Sequence, residues 1–88
     1  MQNAFTVHVF REGHVSVARA LELDLSSFGK TTDEARRNIQ HAVRGFLETA
    51  DAMGTLRDVL EESGYRFEGG RWRAPEFIAL DHLFVGFG

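Results

Sequence analysis

Four histidines and thirteen carboxylates are the side chains of this chain best suited to acid–base or metal chemistry. A zinc site needs three or four ligands converging on one point. His8, His14, His41 and His82 fall on separate stretches, with no His-Glu-x-x-His pattern, no cysteine and no tight acidic cluster beside them. They read as solvated or packed histidines. Asp81-His82 looks like a dyad, but on a strand neighbouring side chains point to opposite faces and could not readily bond. Asp33-Glu34 and Glu61-Glu62 are better explained as helix-start charge and a solvated face. None of Ser16, Ser26, Ser27 and Ser63 sits in a Gly-x-Ser-x-Gly elbow. Gly69-Gly70 lacks the Lys-Ser/Thr and the following helix of a phosphate loop. No catalytic, metal or cofactor-binding residue is assigned, and the expectation is a protein that is not an enzyme and has no cofactor.

Two surface patterns could bind. Arg36, Arg37, Gln40 and Arg44 would form a basic stripe on a helix; the plainer reading is a solvated face in which Asp33 and Arg37 pair at i,i+4. Tyr65-Arg66-Phe67 and Arg71-Trp72-Arg73 interleave aromatics with arginine. Such a pattern can stack single-stranded RNA, but it more often marks a hairpin whose aromatics pack on a core.

At 88 residues the expectation is a single domain over 1–88 with a thin core, burying roughly 60–65% of its unfolded surface. Such small domains often gain stability by oligomerising. The lack of cysteine fits a reducing compartment. The opening MQNAFTVHVF has no basic stretch followed by an apolar run, and no stretch reaches the length needed to span a bilayer, so a cytoplasmic location off the membrane is expected. The formal net charge is −3, with ten Lys and Arg spread among thirteen Asp and Glu. DNA binding is not expected from that balance, whereas a basic protein partner is electrostatically favoured.

Periodicity places the elements. Residues 5–10 and 15–21 alternate as a hairpin. A three-residue loop with Gly13 in the left-handed region would pair Val9 with Val15 and Val7 with Val17, putting Phe5, Val7, Val9, Val15 and Val17 on one face. Leu21, Leu23 and Leu25 suit either a continuation of the second strand or an exposed crossover, with a short third strand over Ser27–Lys30. Thr31-Thr32-Asp33-Glu34 is a capping box. It opens a helix on which Ala35, Ile39, Ala42, Val43, Phe46, Leu47, Ala50 and Met53 share one arc, ending at Gly54. Thr55 and Asp58 signal a second, short helix over 56–63. Gly69-Gly70 turns a small hairpin. Past Pro75, Phe77, Ala79, Leu83, Val85 and Phe87 alternate with Ile78, Leu80 and Phe84, a strand apolar on both faces. In so small a chain the second face needs another subunit. A homodimer or higher even-numbered oligomer built on Ile78, Leu80, Leu83, Phe84, Val85 and Phe87 is therefore expected.

The segment GKTTDEARRNIQHAV resembles the HicB-like antitoxin pattern Gly-x-Thr-x-Glu-Glu-Ala followed by Asn-hydrophobic-x-x-Ala. Gly29, Thr31, Glu34, Ala35, Asn38, Ile39 and Ala42 match it, with Asp33 as the other acid. The preceding VHVFREGHVSVARALELDL and the following FLETADAMGTLRDVLEESGY are similar to the family's hairpin and short second helix, so the resemblance covers roughly residues 5–66. ELDLSSF replaces the proline- and glycine-containing stretch that usually precedes Gly-x-Thr. The resemblance implies an α+β, partial RNase H-like domain: an antiparallel sheet packed on one long amphipathic helix and a short second helix, here with a C-terminal strand. It also implies an antitoxin that binds a small basic HicA-like ribonuclease toxin. Such antitoxins usually append a helical or ribbon DNA reader, which the strand-like residues after Gly64 do not resemble. The other reading is a free-standing oligomeric module for RNA or a small ligand, with no toxin.

Overall fold

The structure, a computed structural model, describes residues 4–86 and 88. It is an α+β arrangement in the order β1 (Val7–Glu12), β2 (Val15–Ala20), β3 (Leu25–Gly29), α1 (Thr32–Ala52), α2 (Leu56–Glu62), β4 (Arg66–Glu68) and β5 (Arg71–Arg73). β1, β2 and β3 form an antiparallel sheet in that spatial order, and β4 and β5 form a separate hairpin. No helix among the described residues is long and apolar enough to cross a membrane.

The first hairpin has a different register from the one predicted. β1 runs on to Glu12, the loop is Gly13-His14, and Val9 pairs with Ala18 while Phe10 pairs with Val17. Gly13 has φ 63° and His14 does not share the positive φ, which suits a type II′ turn. The offset between the two registers is odd, so it exchanges the faces of one strand relative to the other. Val7 and Val9 keep company with Ser16, Ala18 and Ala20, while Val15 and Val17 turn to the opposite face with Phe10. Leu21–Asp24 is neither a strand continuation nor an exposed crossover but a four-residue turn, with Asp24 at φ 53°.

Small side chains explain why the inner face is the alanine face. Ala18, Ala20, Ala35 and Ile39 form the buried core, with Val9, Leu25, Ala42 and Val43 packed around it. A Cβ on Gly29 would lie 2.5 Å from the Ala35 nitrogen and 2.9 Å from the Glu34 carbonyl carbon, so only glycine lets β3 pass this close to the first turn of α1. Asn38 Nδ2 donates to the Phe28 carbonyl at 2.6 Å, tying the helix to the strand. α1 accordingly lies over β3 and β2 and only grazes β1.

The ends of α1 follow the sequence signals. Thr31 Oγ1 accepts from the Glu34 N–H at 3.1 Å. Asp33 pairs with Arg36 at 3.4 Å, one position short of the expected Arg37. At the other end Gly54, at φ 75°, donates to the Asp51 carbonyl and Thr55 to that of Ala50, a Schellman motif. α2 ends the same way: Gly64 donates to Glu61 and Tyr65 to Leu60, and Leu60 and Tyr65 are both buried. The expected Thr55 cap is absent, because its hydroxyl donates backwards to the Ala50 carbonyl instead.

The main departure is the tail. No strand or helix is present between Ala74 and Gly86, where a C-terminal strand was expected. The Cα radius of gyration is 15.2 Å, against about 12 Å for a compact chain of this length. The excess reflects this extended segment.

Candidate functional site

Two apolar surfaces and one aromatic cluster are the features capable of binding. The first surface is the outer face of the three-stranded sheet. Phe10, Val17 and Phe28 are direct cross-strand neighbours on β1, β2 and β3. Val17 is buried between the two rings, while Phe28 is 59% exposed and Phe10 and Val15 are also open to solvent. Among the described residues no helix covers this face. A solvated sheet face ordinarily alternates to polar residues, and here the central row is aromatic, valine, aromatic. The next row is polar: His8, Arg19 and Ser26. The His8 ring lies 5.2 Å from that of Phe10, and Arg19 is 3.7 Å from Asp24.

The second surface is a groove of about 930 Å³ between β1 and α1, lined by Phe5, Val7, Ile39, Gln40, Val43, Arg44, Leu47, Glu48, Asp51 and Leu56. It exists because the small residues of β2 and β3 draw α1 toward them and leave the inner face of β1 half covered. Its floor is apolar, and its rim carries Arg44 together with Glu48 and Asp51. Beside it runs the outer edge of β1, which pairs with no strand among the described residues.

The N-terminal end of this groove is held by polar contacts. Tyr65 Oη donates to the Ala4 carbonyl at 2.6 Å and its ring sits 5.4 Å from that of Phe5. Thr6 donates its N–H to Glu22 Oε1 at 2.8 Å, and Leu21 donates to the Thr6 carbonyl. Burial, with the Glu22 charge adding to it, pushes the Tyr65 phenol well above the ordinary tyrosine value, so at neutral pH it remains a hydrogen-bond donor. The sequence pattern assigns Tyr65 only to a strand; its anchoring role depends on a partner sixty-one positions away.

The third feature is the β4–β5 hairpin. Phe67 and Trp72 pair across it with ring centroids 5.3 Å apart. Arg57 of α2 lies about 6 Å from both rings while its Nε bonds Glu61 at 2.9 Å. The aromatics are thus engaged with each other and with an intramolecular cation, and Arg73 is paired with Glu68.

The residues expected to build an oligomer are brought to no common surface within the chain. Ile78, Leu80, Leu83, Phe84 and Val85 all stand exposed along the tail; Phe87 lies outside the described residues. His8 is on the outer sheet face, His14 in the hairpin loop, His41 on the exposed side of α1 and His82 in the tail. Among the described residues no three His, Asp or Glu side chains are grouped as a metal ion would need. Comparison of the chain with protein-family models, with curated proteins and with solved structures finds no match.

Proposed function

We propose that this chain is a HicB-like, antitoxin-type protein that binds and neutralises a small basic HicA-like ribonuclease toxin, using the open face of its sheet and no catalysis of its own. The observation that carries the reading is the uncovered Phe10–Val17–Phe28 row. An exposed aromatic cluster on a rigid sheet is the kind of anchor from which protein interfaces draw most of their energy. The likeness of residues 29–42 to the family pattern supports the choice of partner, and the net charge of −3 favours a basic one. The same motif residues also have structural duties, since Gly29, Thr31, Glu34, Ala35 and Asn38 build the β3–α1 joint. The motif therefore supports a partial RNase H-like fold more directly than it supports a partner.

Co-expression with a short basic reading frame adjacent to its gene should yield a co-purifying complex and relieve growth arrest. Phe28→Asp should abolish both effects while leaving the far-ultraviolet circular dichroism unchanged. A complex unaffected by Phe28→Asp would remove the sheet face from the proposal. If no such neighbour exists, or no complex forms, the alternative is a free-standing oligomeric binding module. An open groove and an uncovered apolar tail in the same chain favour that alternative independently of any toxin.

A further inference from the structure

The groove, the bare strand edge and the tail are complementary. β1 is apolar on both faces where its outer edge is open: Val7 points to the groove and Phe10 to the outer face, and both remain over a third exposed. A strand added to that edge would need apolar side chains on both of its own faces. The segment Phe77–Val85 has this pattern, with Phe77, Leu83 and Val85 on one alternating set and Ile78, Leu80 and Phe84 on the other. At nine residues it is long enough to follow the six residues of β1. Its own chain does not use it, for Ile78 is 96% and Phe84 91% exposed.

We infer that the tail of one copy docks along β1 of a second copy, as an added strand that fills the groove between β1 and α1, and that the exchange is reciprocal. Two-fold exchange closes the assembly and leaves neither tail bare. The tail side chains that would enter the groove are unengaged in their own chain, with Phe77 52%, Leu83 86% and Val85 69% exposed. Charge constrains the register of the docking, because the rim carries Arg44 beside Glu48 and Asp51 and only Arg44 can pair with an acid. Asp81 is the one acid among these apolar positions, and it shares a set with Phe77, Leu83 and Val85. Arg44 stands on the groove rim, and among the described residues it forms no ion pair. With that set turned toward α1, Asp81 meets Arg44. This assembly is independent of the toxin-binding reading and is tested on the purified chain alone.

Light scattering at micromolar concentration should give twice the 9.9 kDa mass of one chain. Leu83→Asp in the tail and Leu47→Glu in the groove should each give monomers, and an equimolar mixture of the two should recover a heterodimer joined by its one intact tail–groove contact. Arg44→Glu and Asp81→Arg, both at exposed positions, should each raise the dimer dissociation constant at least about tenfold, and together should restore it. A monomeric wild-type chain overturns the inference. So does a folded Leu47→Glu variant that still dimerises, since tails pairing with tails would ignore the groove. Should Leu47→Glu fail to fold, the charge exchange decides: a double variant no tighter than the single ones overturns the inference.

Discussion

Single residues in this protein do what their neighbours in space require of them. Gly29 and Gly45 make the contrast. A Cβ at Gly29 would drive into the backbone of α1's first turn, whereas one at Gly45 would meet nothing within 4 Å. Gly29→Ala should therefore destabilise by about 1–3 kcal/mol, as overpacking does. Gly45→Ala should stabilise by about 0.5–1 kcal/mol through helix propensity alone. Urea denaturation of the two variants checks both signs. Tyr65 is a second case. Removing its hydroxyl in Tyr65→Phe deletes the bond to the Ala4 carbonyl and should cost about 0.5–1.5 kcal/mol at pH 7. Because the folded-state value is raised, the unfolded chain ionises first. The tyrosine's contribution is complete below pH about 10 and falls as pH rises beyond it. Wild type should lose stability between pH 10 and 11 more steeply than Tyr65→Phe, and equal slopes would contradict the burial of this phenol.

At the scale of elements, the mismatch in length between sheet and helix matters most. α1 has 21 residues and is about 31 Å long, while strands of five or six residues reach about 17–20 Å. The helix overhangs the sheet, so the apolar arc that periodicity places on one face is not buried along its whole length. Ile39 is 1% exposed, yet Phe46 is 38% and Met53 71% exposed. Ile39→Ala should thus cost about 2–5 kcal/mol. Phe46→Ala, despite the larger side chain, should cost only about 1–2 kcal/mol, because over a third of the residue's surface stays in water. Thermal unfolding of the two variants would refute the overhang if Phe46→Ala proved the more damaging.

The whole molecule is an incomplete layer structure. One helix covers one face of a three-stranded sheet, the outer face carries an aromatic row, and an apolar tail contacts little of its own chain. Fully buried side chains are few and mostly small, with Ile39, Leu60 and Tyr65 the large ones. A core this thin gains from association.

The amino-acid sequence by itself determined whatever depends on near neighbours. Thr31 with Glu34 starts α1, Gly54 and Gly64 stop the two helices, Gly69-Gly70 turns the small hairpin, and the apolar periods make the class α+β. These are interactions across three to six positions, and residue type specifies them directly. Tertiary structure decided the rest. The register of β1 on β2 turned on which face could accept a closely packed helix. Alanines and Gly29 admit α1 where valines would hold it off, so Val15 and Val17 went outward against the simple hydrophobic alternation. The groove followed from that tilt of α1 toward β3, and Tyr65 found Ala4 only through the folded path of the whole chain. The tail's double-sided apolar pattern was legible as a surface needing cover. Whether its own sheet had a free edge within reach depended on how three strands and a helix packed, which no local pattern contains.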